Sequence, residues 1–179
     1  RKNRYQRGNS VGEPSIRGAV GLRNLGNTCF MNSTIQCLSN TPYLTEYFVE
    51  GDYKAEINRE NPLGWQGKIA DEWGKLIQQI WSGEYRTVVP TQFKQVIGEF
   101  QPRFSGYQQQ DSAELLSFLL DGLHEDLNRI KKKPNTTTVE SDSKGNLISV
   151  GNEAWRVHKL RNDSIIVDQL QGQVQSTVT

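Results

Sequence analysis

Cys29 is the residue with the clearest chemical potential. It follows a run rich in glycine and asparagine, Gly21-Leu22-Arg23-Asn24-Leu25-Gly26-Asn27-Thr28. It also opens a helix-competent apolar stretch made of Cys29, Phe30, Met31, Ile35, Cys37 and Leu38. Asn27 or Thr28 can cap that helix with a short polar side chain. The cysteine then sits in the first turn, where the aligned peptide dipoles favour a thiolate. Gly21 and Gly26 permit tight turns and the close approach of another chain. Asn24 offers an amide N–H that can donate to an oxyanion. A thiol beside such donors is the apparatus of nucleophilic catalysis. Free cysteine also serves as a small buried hydrophobe. Cys37, on the apolar side of the same helix, is expected in that role.

A catalytic thiol needs an imidazole to hold the thiolate and later to protonate the leaving amine. The chain holds two histidines, His124 and His158. Each falls inside a predicted helix and is expected to be structural or surface-exposed. Without a base, a cysteine is only a few per cent ionised at neutral pH. Either the base is supplied by another chain or segment, or this polypeptide is inactive as it stands.

The elements that must position Cys29 are mostly helical. After Asn40-Thr41-Pro42, Leu44, Tyr47 and Phe48 share one face of a short helix. Residues 49–64 are mixed and polar and end in a turn, Asn61-Pro62-Leu63-Gly64. Over residues 66–81, Ile69, Trp73, Leu76, Ile77, Ile80 and Trp81 recur at helical spacing. Val88-Val89-Pro90-Thr91 leads into another helix, with Phe93, Val96, Ile97 and Phe100 on one face. The longest helix runs from Asp111 to about Ile130. Asp111 is its N-cap, and Glu114 is placed to complete a capping box. Leu116, Leu119, Leu120, Leu123, Leu127 and Ile130 form its apolar stripe. Residues 134–151 are expected as an exposed loop, and Glu153 to Asn162 as a further helix. From Ser164 the texture turns strand-like: Ile165-Ile166-Val167, then Leu170, Val174 and Val178 against Gln171, Gln173 and Gln175. Helices first and sheet last give an α+β class.

The 179 residues fit one domain or part of one, opening on a polar linker over 1–18. A net charge of +1 gives no reason to expect nucleic acid or an anionic membrane as partner. No apolar run approaches the ~20 residues that span a bilayer. The two cysteines lie on one short helix and fit a reducing compartment, and no Cys-x-x-Cys spacing offers a metal site.

Two blocks carry a resemblance. Gly-Leu-Arg-Asn-Leu-Gly-Asn-Thr-Cys-Phe-Met-Asn-Ser, residues 21–33, resembles the cysteine box of the ubiquitin-specific proteases, which are deubiquitinating enzymes. Gly106-Tyr107-Gln108-Gln109-Gln110-Asp111-Ser112-Ala113-Glu114-Leu115-Leu116 resembles that family's glutamine–aspartate box. The similarity runs from about Gly21 to the C-terminus. Leu-Thr-Glu-Tyr-Phe, Asn-Pro-Leu-Gly, Leu-Asp-Gly-Leu-His-Glu-Asp-Leu-Asn and Arg-Asn-Asp-Ser-Ile-Ile-Val-Asp are similar to the branch carrying DUSP and ubiquitin-like modules ahead of the protease. The resemblance implies a papain-like finger–palm–thumb fold, of which this chain, over 19–179, covers the mainly helical thumb and the first finger strand. It implies Cys29 as nucleophile, Asn24 at the oxyanion, and Gln109 and Asp111 on the C-terminal tail of ubiquitin. It places the catalytic histidine box in a complementary C-terminal half of the domain. Structural zinc is then expected only with cysteine pairs beyond Thr179, and no cofactor for the chemistry. A cytoplasmic or nuclear location goes with this family.

Three functions follow from these features. The first is a deubiquitinase part-domain cleaving after the C-terminal glycine of ubiquitin. The second is a catalytically incomplete module that binds ubiquitin. The third is an unrelated helical domain with a buried thiol.

Overall fold

The computed structural model describes residues 16–137, 139, 146–174 and 176. Most of the expected linker, residues 1–15, lies outside that set. Residues 16–18 are already part of the body, since the Gly18 N–H donates to Ile80 O at 3.2 Å. The elements are β1 (Gly21–Leu22), α1 (Cys29–Leu38), α2 (Pro42–Glu50), α3 (Tyr53–Glu56), α4 (Lys68–Trp81), β2 (Thr87–Val88), α5 (Thr91–Phe100), a 3-10 turn (Pro102–Phe104), α6 (Ser112–Asp126), α7 (Leu147–Lys159) and α8 (Ile165–Leu170).

Helix α4 is the central element and packs against α2, α5 and α6. Its expected stripe is real: Ile69, Trp73, Leu76, Ile77 and Ile80 are all buried. Trp73 is a core anchor, with ring centroids 6.4 Å from Phe48 and 5.7 Å from Phe93. Tyr53 crosses α4 so closely that a Cβ at Gly74 would lie 2.3 Å from its ring. Helix α5 buries Phe93, Val96 and Ile97 against α4. The sheet is one parallel pair, Gly21 with Thr87 and Leu22 with Val88. It fixes the segment that leads into α1.

The start of α4 is held by a residue from another helix. Asp126, at the end of α6, is fully buried. Its Oδ1 accepts from the N–H of Trp65 at 2.6 Å and Gly67 at 3.0 Å. Its Oδ2 accepts from Ile69 at 3.0 Å and Ala70 at 3.2 Å. These are orphan donors of the first turn and the residues before it. Burial pushes the Asp126 pKa up, while the four N–H groups pull against it.

Three expectations are corrected here. The long helix ends at Asp126, not near Ile130, because the following residues fasten other segments. The Asn128 O accepts from Asn58 Nδ2 at 2.9 Å, and its Oδ1 accepts from Ile130 N at 3.1 Å and Asp163 N at 3.3 Å. The strand expected from Ser164 is instead helix α8. Ser164 Oγ accepts from Val167 N at 3.3 Å, and Ile166 and Val167 are buried side by side. Neighbouring residues of a strand would face opposite ways. Residues 171–174 form no ladder, so no finger strand is present among the described residues. Finally, α7 begins at Leu147, taking the end of the stretch expected as loop and preceding Glu153. Asn146 caps it, accepting from Ile148 N at 3.0 Å, and none of its side chains is buried.

His124 is the other buried titratable group at this end of α6. Its Nδ1 lies 2.8 Å from Ser164 Oγ and its Nε2 3.4 Å from Asn162 Oδ1. A neutral ring satisfies both partners when Ser164 donates to Nδ1 and Nε2–H donates to Asn162. Burial lowers the His124 pKa, with Glu125 opposing at 3.9 Å.

Two outcomes follow for stability. Asp126→Asn keeps the volume but turns an NH2 group toward two N–H donors, so unfolding free energy should fall by about 2–4 kcal/mol. Urea denaturation would show it, and an unchanged midpoint would contradict the capping role. For His124, the unfolded chain takes up a proton near its ordinary pKa of ~6.5 that the folded chain refuses. Stability should therefore drop as pH falls from about 7.5 to 5.5, by at most ~1.4 kcal/mol per pH unit for this group. The slope should flatten in His124→Asn, and an unchanged slope there would contradict this account.

Candidate active site

The loop before α1 folds around one side chain. Asn24 Oδ1 accepts from Gly26 N at 2.9 Å, Thr28 N at 3.1 Å and Thr28 Oγ1 at 3.2 Å. Thr28 Oγ1 in turn accepts from Leu25 N at 2.9 Å. The turn uses the left-handed region twice, at Gly26 (φ 103°) and Asn27 (φ 52°), where glycine and asparagine are the favoured residues. Thr28 is the N-cap residue by position, but its side chain turns back into the loop and caps no helical N–H. Asn27 does not cap either: its Nδ2 donates to Tyr107 O at 2.9 Å. Gly21 shows no comparable need, since a Cβ there would meet its nearest atom at an ordinary 3.6 Å.

Cys29 is thereby the first residue of α1, and it is exposed. The first-turn N–H groups of the helix, its own included, have no helical acceptor. Asn24 Nδ2 makes no hydrogen bond among the described residues, so one half of this carboxamide builds the loop and the other is a free donor. Asn32, one turn further, ties α1 to β1 by donating to Leu22 O at 3.2 Å.

The glutamine–aspartate block arrives from the other side. Gln109 places its Nε2 3.3 Å and its Oε1 3.4 Å from Cys29 Sγ. Asp111 caps α6 as expected, its Oδ1 accepting from Ala113 N at 2.7 Å. Glu114 does not complete a capping box; it pairs with Arg103 Nη1 at 2.6 Å. Helices α1 and α6 pack together, with Thr34 Oγ1, bonded to Phe30 O, lying 3.4 Å from Ser112 O at the start of α6. The structure thus brings Cys29 and Gln109 into contact, with Asn24 in the same loop and Asp111 at the neighbouring helix start.

Cys37 is corrected. It is exposed, not core. The buried face of α1 is Phe30, Met31, Thr34, Ile35 and Leu38, and helical phase turns Cys37 toward the solvent side that also carries Cys29 and Ser33.

Neither histidine serves the thiol. His124 lies thirteen residues beyond Asp111 along α6, about 20 Å at ~1.5 Å per residue. His158 Nε2 contacts Gln171 Oε1 at 3.1 Å, and its ring stacks on Trp155. Among the described residues, no group of three or more His, Cys, Asp or Glu side chains is placed to hold a metal ion. No helix among them is long and apolar enough to cross a membrane. The contacts of Asn27, Tyr107 and Lys94 around the site were not readable beforehand. Tyr107 lay in the second block, but nothing in its spacing linked it to Gly26.

Comparison with known proteins identifies the fold and the family. Ubiquitin carboxyl-terminal hydrolase 4 of Pongo abelii and ubiquitin carboxyl-terminal hydrolase 15 of Xenopus tropicalis are each 58% identical over 161 residues, 90% of this chain. The chain spans only 17% and 16% of their lengths. Among solved structures, the SAGA Ubp8/Sgf11/Sus1/Sgf73 DUB module bound to ubiquitin aldehyde matches with a TM-score of 0.51 and 20% identity, over 64% of this chain and 26% of that one. The fold is therefore the helical part of a papain-like ubiquitin-specific protease domain. The ubiquitin carboxyl-terminal hydrolase family model matches residues 20–179, and the chain belongs to that family.

Proposed function

We propose that this chain carries the nucleophile of a thiol-dependent deubiquitinase. The observation that supports it best is the exposed Cys29 at the N-terminus of α1, in the same loop as the unused Asn24 Nδ2 donor. Cys29 Sγ, as thiolate, attacks the carbonyl carbon after the terminal glycine of ubiquitin. The oxyanion receives hydrogen bonds from the Cys29 backbone N–H and Asn24 Nδ2. The tetrahedral intermediate collapses, a histidine from outside this chain protonates the leaving amine, and water hydrolyses the thioester. Gln109 and Asp111 border the channel for the ubiquitin tail, which is basic and polar before its glycine pair. The exposed Asp111 carboxylate pairs with its arginines. Ubiquitin and ubiquitinated proteins are the partners, and the cell's reducing compartments the setting.

The alternative function is a ubiquitin-binding module without turnover.

Ubiquitin bearing a thiol-trapping electrophile at its C-terminus separates the two. Mixed with this chain, with and without the downstream half of such a domain, it should form an adduct mapping to Cys29 and strengthened by that half. Binding without an adduct in both mixtures, with the protein folded, would favour the binding module. Asp111→Asn keeps a capping oxygen and removes the charge. In the complete domain it should raise KM for a ubiquitin substrate about tenfold, the loss of one ~1.4 kcal/mol ionic contact, with kcat little changed. An unaltered KM would remove the tail contact from Asp111.

A further inference from the structure

We propose that Lys94 is a positioning residue for the thiol site, acting through Tyr107 on Gln109. The proposal rests on Cys29 being the nucleophile.

The segment between Ser105 and Asp111 delivers Gln109 to Cys29, yet residues 106–110 make no backbone–backbone hydrogen bond among the described residues. Side chains hold it instead. Lys94 Nζ donates to Ser105 O at 2.7 Å and stands 5.1 Å from the centroid of the Tyr107 ring. One edge of that ring lies against Gly26, where a Cβ would approach Tyr107 Cδ1 to 3.2 Å. Asn27 Nδ2 takes the Tyr107 carbonyl at 2.9 Å. Two residues on, Gln109 meets Sγ.

Tyr107 is 73% exposed, so burial does not explain where its ring rests. The ring is held by the cation and by close contact with Gly26 of the nucleophile loop. Lys94 itself is on firm ground. It stands on α5 beside Phe93, Val96 and Ile97, all buried in the core. A lysine suits both contacts at once, because its ammonium is a hydrogen-bond donor and a cation attracted to a ring face. The position of α5 is thereby passed to Gln109, whose carboxamide covers one side of the sulfur.

The test is the alkylation rate of Cys29 by iodoacetamide in the full chain, followed by peptide mass spectrometry from pH 6.5 to 9. Cys37, exposed on the same helix, is the internal reference. Lys94→Met and Tyr107→Leu should each raise the Cys29:Cys37 rate ratio about threefold or more, since a released Gln109 uncovers the thiol. Lys94→Arg keeps the donor and the cation and should stay within about twofold of the parent. The double variant should be no faster than the faster single one, as expected for two residues on one path. An unchanged or lowered ratio in Lys94→Met, an arginine variant no better than methionine, or additive effects would each overturn the proposal. Alkylation involves no ubiquitin, so the two fail separately: no adduct from the ubiquitin electrophile would overturn the deubiquitinase function, and an unshifted ratio beside a Cys29 adduct would overturn the role of Lys94 alone.

Discussion

The fold turns on one carboxylate. Asp126 is the last residue of α6, and its two oxygens take four backbone N–H groups at and before the start of α4. A helix start buried without acceptors is costly, and no side chain of α4 supplies them. The end of one helix and the beginning of the other therefore form together. Because α4 is the helix on which α2, α5 and α6 all pack, this joint sets their relative placement. The opposite end of α6 is where Asp111 stands and where Gln109 arrives at Cys29. The same helix thus fixes the core at its C-terminus and helps to build the site at its N-terminus.

Polar groups do similar work around the joint. Asn58, Asn61 and Asn128 are buried, each bonded to a segment distant in sequence. Arg129 reaches Glu56, Asp163 and Asp168, each at 3.0 Å, drawing α3 and α8 onto the same corner. These groups explain which parts of the molecule were legible in advance. Helix α4 could be read because its apolar residues repeat at a helical period and nothing competes with that pattern. The end of α6 could not, because Leu127 and Ile130 continue the period while Asn128 breaks the helix through partners far along the chain. Ile165-Ile166-Val167 carries strand propensity, yet Ser164 caps a helix there and the core accepts two adjacent side chains. Tertiary contacts override propensity at both places.

At the site, the residue types were readable and their contacts were not. Glycine and asparagine before a cysteine correctly announced a tight loop delivering Cys29 to a helix start. The cap was assigned to the wrong mechanism. Thr28 and Asn27 spend their side chains on the loop and on Tyr107, and Asn24 Oδ1 does the organising. A phase error in α1 also placed Cys37 inside. Its neighbours Ile35 and Leu38 are buried, but the face is narrow and Cys37 falls just off it.

The contact of Arg129 with Asp163 has a further consequence. Arg129 N donates to Asp163 O at 2.8 Å, and the two side chains pair at 3.0 Å. The chain therefore leaves the body and returns to it at neighbouring points, with α7 on the excursion between; at the same base Lys133 pairs with Glu125 and Arg161 O accepts from Asn128 Nδ2. No side chain of α7 is buried, so the core takes nothing from that helix itself. Closing a longer loop at the same base costs only about 0.6 kcal/mol for each doubling of its length. Added length between Arg129 and Asp163 would thus fall on a loop already closed at its base, at the end of α6 away from the thiol.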